Sequence, residues 1–295
     1  MTELSYLTLR HSATCPAILA SASLLSQLTR LHLKFDSYSN LSDGSTASTD
    51  SFTTLRRLVL NINDPSDAVQ ALQQVSTHNI RRLSVIWDKS EAESSRLCGI
   101  GPIFSGLSIA GLQNLRRLDI RIARDIQQQI VPLDIQQLEL LGSLSDLEVL
   151  QLPGGLLREV DLFAQLVERT PGWGSRLSEL IVPRYFSSMA DFYALGTGCK
   201  KLSTVTIGVD WKRIPAPALP GHVLTAPHDR ILYLNISEEF QALMGDNVIR
   251  LASGLRAIWD QVDIWFDDCR YRANALGGMW FDSSDEPVIN RNGCA

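Results

Sequence analysis

Features that announce chemistry are scarce in this chain of 295 residues. Its five cysteines, Cys15, Cys98, Cys199, Cys269 and Cys294, are odd in number, widely spaced and free of any C-x-x-C. That argues against a disulfide framework or a zinc site and suits a reducing intracellular compartment, cytoplasmic or nuclear. No apolar run approaches the roughly 20 residues that cross a bilayer. The apolar stretch 17–25 follows Glu3 and a strand-like pattern, so it does not read as a signal-peptide core. Nucleotide-binding patterns are missing as well: the glycines of "GIGPIFSG" (Gly99–Gly106) lack the lysine that would meet phosphates. There is no G-x-S-x-G elbow, and the histidines His11, His32, His78, His222 and His228 have no Cys or Ser at a recognised spacing. His222 and His228, near Asp229 in a proline-rich stretch, read as exposed loop side chains and not as ligands. The sequence therefore assigns no catalytic residue, no cofactor and no metal, and the chain is not expected to be an enzyme.

What is present is an ordinary globular composition, 45% hydrophobic and 20% charged, which excludes disorder and collagen. The net charge of −5 is unevenly divided. Residues 1–125 hold 13 Lys and Arg against 11 Asp and Glu, while residues 126–295 hold 14 against 21. With a pI near 5.6, nucleic acid is a poor candidate ligand, and no membrane partner is expected. The carboxylates Asp260, Asp263, Asp267, Asp268, Asp282, Asp285 and Glu286 lack the order of a calcium loop and read as a solvated acidic cap. Trp259, Trp265 and Trp280 suit core filling, because no basic cluster accompanies them.

One pattern organises the chain. Apolar-x-x-apolar-x-apolar occurs nine times, at Leu4/Leu7/Leu9, Leu28/Leu31/Leu33, Leu55/Leu58/Leu60, Ile80/Leu83/Val85, Leu115/Leu118/Ile120, Leu147/Leu150/Leu152, Leu177/Leu180/Val182, Leu202/Val205/Ile207 and Ile231/Leu234/Ile236. Successive starts differ by 24, 27, 25, 35, 32, 30, 25 and 29 residues. The last two apolar residues of each copy alternate with polar ones, as in a strand with one buried face. Helical spacing lies between copies, as at Leu162, Phe163, Leu166 and Val167, or at Phe240, Leu243 and Met244. Such a unit cannot bury its own apolar side, so neighbouring units must share one core.

The segments "LTRLHL", "LRRLVLNIN", "IRRLSV", "LRRLDI" and "LEVLQL" resemble leucine-rich repeats of the irregular kind in the C-terminal halves of fungal F-box proteins. The resemblance implies an α/β fold: an irregular leucine-rich-repeat solenoid with a short-stranded parallel inner sheet and outer helices. It covers about residues 4–266, within a solenoid assigned to residues 1–266 with flexible loops at about 36–54 and 213–227 and a C-terminal tail over 267–295. The strand "VDIWF" is expected to close the sheet, with Trp280 and Phe281 anchoring part of the tail. The Asn expected eight positions after the first Leu is met only by Asn63, so the side-chain ladder between coils should be incomplete. The longer middle units are expected to carry longer outer helices.

Functionally, the resemblance implies a protein-binding module, the substrate-holding part of a cullin-type ubiquitin ligase receptor. Partnership with Skp1 and cullin is expected only if an F-box is present elsewhere, since the first strand begins at Leu4. A stand-alone interaction scaffold is the alternative, and a hydrolase or other enzyme is a third reading. In four consecutive copies the residue before the second apolar position is arginine: Arg30, Arg57, Arg82 and Arg117. With Lys34 and Arg121 they form a candidate basic strip on the concave face for an acidic or phosphorylated partner segment, because the forked guanidinium meets such groups with two bonds. The competing reading is that these arginines only solvate the strand entrances.

Overall fold

Alternation of apolar and polar residues sets the backbone of this chain into short strands, and each strand pairs with the one that follows it in sequence. The computed structural model describes residues 4–10, 16–35, 52–75, 78–87, 101–109, 112–122, 133–153, 157, 159–213, 231–236, 246–256, 258–259, 261–266, 269–273 and 279–281. Ten parallel strands form the sheet: β1 (Tyr6–Arg10), β2 (Arg30–Lys34), β3 (Arg57–Ile62), β4 (Arg82–Trp87), β5 (Arg117–Ile122), β6 (Val149–Gln151), β7 (Glu179–Ser187), β8 (Thr204–Val209), β9 (Ile231–Ile236) and β10 (Gln261–Phe266). Two antiparallel strands, β11 (Cys269–Ala273) and β12 (Met279–Phe281), continue the same sheet. The sheet thus extends past residue 266, where the sequence reading began a tail. The rest of that tail, residues 282–295, lies outside the described residues.

Register is uniform from β1 to β7 and shifts once, between Val182 and Phe186, in the pairing of β7 with β8. Leu7, Leu31, Leu58, Leu83, Leu118, Leu150 and Leu180 are partners across successive strands, and from Leu31 onward they are at most 1% exposed. All of these buried leucines belong to a single core. A recurring turn produces the alignment. The N–H of Leu28, Leu55, Leu115, Leu147, Leu177 or Leu202 donates to the carbonyl three residues earlier, at 2.9–3.2 Å. One residue after that leucine, the carbonyls of Thr29, Arg56, Arg116, Glu148 and Ser178 each accept two successive N–H groups of the next strand, as do those of Ser5 and Arg81. Strands β2 to β8 are therefore threaded from the same relative position.

Helices cover the leucine side of the sheet: α1 (Pro16–Ser23), α2 (Pro65–Gln74), α3 (Gly101–Ile109), α4 (Ile135–Glu139), α5 (Leu162–Arg169), α6 (Met189–Gly198) and α7 (Asp246–Arg256). Their starts are locally encoded. Pro65 opens α2 where its missing N–H costs nothing, Asp64 accepts from Ser66 N–H at 2.8 Å, and Asp67 returns a bond to Asp64 N–H at 3.1 Å. Asp134 and Gln137 form the same reciprocal pair at α4.

Several expectations need correction. Among the described residues the middle helices are not consistently longer than those of the first units: α3 has 9 residues, α4 has 5 and α5 has 8, against 8 for α1 and 10 for α2. The additional residues of those units include 88–100 and 123–132, outside the described residues. The helix expected near Phe240 lies outside them too; α7 begins at Asp246. Of the polar loop 36–54, residues 36–51 are also outside, but Phe52 is 3% exposed and packs in the core, and its left-handed backbone (φ 63°) starts the turn into β3. The second loop falls outside after Arg213, which closes a short 3-10 turn from Trp211.

Candidate functional site: the polar face of the sheet

Side chains alternate across a strand, so the residues between the buried leucines share the opposite face. The row nearest the strand entrances reads Tyr6, Arg30, Arg57, Arg82, Arg117, Val149 and Glu179 on β1 to β7, each paired in register with the next. Four guanidinium-bearing residues thus stand on four adjacent strands. Arg30, Arg57 and Arg82 are exposed and Arg117 is half-buried. None of the four forms a side-chain hydrogen bond or ion pair with another described residue. Strands lie about 4.8 Å apart, at which two unit charges in water repel by about 1 kcal/mol. The row is therefore a place where an added anion relieves repulsion.

The next rows qualify the strip. Lys34 is exposed at the far end of β2, in register with Arg10 and Asn61. Arg121 is exposed but engaged: its Nε donates to Asp119 Oδ1 at 3.0 Å and its Nη2 to Asp119 Oδ2 at 2.7 Å. This bond is the leading reason the Arg121 guanidinium is held above its ordinary value. Both oxygens of Asp119 are thus turned to Arg121 and bond none of the four arginines of the row. Ser84 Oγ also donates to Asp119, at 3.4 Å. Arg121 belongs to a neutral pair more than to a free basic strip.

At the rim, Arg56 is turned toward the backbone, donating to the carbonyls of Leu55 and Asn79 at 3.4 Å, and Arg116 pairs with Glu148 at 3.4 Å. Between Arg57 and Lys34 the floor is half-buried Val59, with His32 bonded to Asn61 at 3.1 Å. The arginine row ends at β5: β6, β8, β9 and β10 carry no Lys or Arg, and in the same row Arg117 is followed by Val149 and then Glu179.

A second polar group escaped the sequence reading. The hydroxyl of Tyr185 on β7 accepts from Leu162 N–H at 3.0 Å and donates to Asp191 Oδ2 at 2.9 Å; Asp191 Oδ1 accepts from Ala164 N–H at 3.0 Å. Ser188, the residue before α6, bonds to Asp161, the left-handed residue (φ 59°) before α5. Burial raises the Tyr185 hydroxyl well above its ordinary value, and burial likewise raises the Asp191 carboxyl. Such perturbed groups mark active sites when they line a cleft. Here they face one another inside the core and tie the starts of two helices together. The pattern Ser188-x-x-Asp191 ahead of an apolar run is a sequence signal that would have found this helix start.

Among the described residues no group of three His, Cys, Asp or Glu could hold a metal ion, and no helix is long and apolar enough to cross a membrane. His222 and His228 lie outside the described residues. The chain matches no family model and no curated protein.

Proposed function

We propose that this protein is a non-catalytic interaction module whose polar sheet face holds an acidic or phosphorylated segment of a partner protein. The observation that carries the reading is the in-register row of Arg30, Arg57, Arg82 and Arg117, none of which forms an ion pair with another described residue. A bound carboxylate or phosphate would bridge adjacent guanidinium groups and remove their mutual repulsion. Lys34 extends the strip at its far edge, and Arg121 contributes only if Asp119 releases it.

The strand-by-strand sequential pairing, the recurring turn and the Asn63 side chain, which donates to Phe35 O at 2.9 Å in the preceding unit, favour a leucine-rich-repeat solenoid, with the polar face as its concave surface. On that reading the chain works inside the cell, either as the substrate-holding part of a cullin-type ligase receptor or as a scaffold with no ligase link. Co-purification with Skp1, which needs an F-box elsewhere, separates the two.

Fluorescence anisotropy with labelled Glu-rich, phosphoserine-containing and neutral peptides tests the site. The acidic or phosphorylated probe should bind, weaken as salt is added, and be lost in the Arg57→Glu/Arg82→Glu variant with an unchanged melting temperature. Equal binding by wild type and variant removes the strip as the site.

A further inference from the structure

Along the outer edge of β1, apolar residues of the core row meet solvent. Leu7 and Leu9 are half-buried, whereas their register partners Leu31 and Leu33 are at most 1% exposed. Around them Leu4 is 45%, Tyr6 53%, Ile18 of α1 41% and Leu24 83% exposed. Edge strands that must stay single normally carry an inward charge, a proline or a bulge; β1, with sequence YLTLR, has none.

The backbone of β1 is also set for pairing. Ser5 O accepts from Thr29 and Arg30 N–H and so points toward β2. Because successive peptide groups of a strand point to opposite sides, Leu7 and Leu9 bond β2, while Tyr6, Thr8 and Arg10 direct N–H and C=O to the open edge. We infer that this edge pairs with the same edge of a second copy, antiparallel about a two-fold axis through Thr8. In that register Thr8 faces Thr8, Tyr6 faces Arg10 and Leu7 faces Leu9. The outward backbone groups then meet as hydrogen-bonded pairs, and the leucines fall opposite each other on the core side. The arginine cation meets the tyrosine ring on the polar side, a favourable contact. The strand is its own complement in this arrangement, as a two-fold interface requires. Ile18 and Leu24 of the same unit add exposed apolar surface. The pairing strand supplies five residues per copy, fewer than the roughly 20–30 per side of a stable complex. The dimer should therefore be reversible and visible only on concentration.

Light scattering after size exclusion, from about 1 to 200 μM, should show the mass rising from monomer toward dimer. Thr8→Pro removes an N–H that β2 does not use, so it should leave the circular dichroism and melting temperature unchanged while keeping the protein monomeric. A cysteine placed at the axis reports the register without relying on that variant. In a background with Cys15, Cys98, Cys269 and Cys294 replaced by serine, Thr8→Cys should form a disulfide dimer under diamide. The Cα atoms of such a pair lie about 5.5 Å apart, within disulfide range. Arg10→Cys should not, its two copies lying about 14 Å apart at roughly 3.4 Å per residue. A wild-type chain that stays monomeric throughout, or cross-linking as ready at position 10 as at position 8, overturns the inference.

Discussion

The Tyr185 hydroxyl donates to Asp191 Oδ2 at 2.9 Å, with Tyr185 only 1% exposed and Asp191 fully buried. The bond joins β7 to the first turn of α6. Through Leu162 and Ala164 the same two side chains hold the start of α5.

Removing the hydroxyl by Tyr185→Phe leaves Leu162 N–H and one lone pair of Asp191 unsatisfied in the core, at a cost of about 1–3 kcal/mol, read as a lower urea midpoint with unchanged slope. The network also has a pH signature. Burial raises the folded-state pKa of Asp191 above its ordinary value of 3.8, against the opposing backbone and tyrosine bonds. The folded chain then holds this proton more tightly than the unfolded chain, so the contribution of Asp191 to stability falls as pH rises from about 3.8 to the folded value. The stability advantage of wild type over Asp191→Asn should accordingly be largest in acid and shrink through that window; a difference independent of pH would refute it.

Asp119 restrains the basic strip through Arg121. Asp119→Asn weakens the two charge-assisted bonds and deletes a negative charge beside the arginine row. At about 1 kcal/mol for a charge near 4 Å in water, an acidic peptide should bind roughly five-fold more tightly by anisotropy. Arg121→Ala instead strands a buried carboxylate. Because the Arg121 side chain is 56% exposed, solvent screens the loss, and about 1–2 kcal/mol of stability is expected to disappear.

The leucine spine should be strongest in its interior. Leu83→Ala opens a cavity between Leu58 and Leu118 and should cost about 2–5 kcal/mol. Leu7→Ala, at the half-buried edge, should cost less than about 1.5 kcal/mol in dilute solution, since part of that side chain already sits in water. Equal losses in denaturant titrations would contradict the burial gradient.

Much of this architecture can be read from Leu58, Leu83 and Leu118 alone, because a repeated apolar spacing states both the strand and its buried face. The alignment of Arg30, Arg57, Arg82 and Arg117 is legible for the same reason, each residue occupying one position of the repeat. The diversion of Asp119 is not, since the repeat gives its face but cannot tell whether Arg117 or Arg121, each two residues away, will take its oxygens. The meeting of Asp161 with Ser188 needs a left-handed backbone and a packed helix pair. β11 and β12 were missed because neither "CRYRA" nor "MWF" repeats the leucine spacing.

Through β1–β10 each strand is joined to its neighbours in chain order, with register partners 22 to 35 residues apart. Order in such a chain can start at any unit and spread like a zip, without waiting for distant segments to find each other. Damage travels by the same relay: a defect at β2 weakens β3 first and reaches β9 only through every link between them.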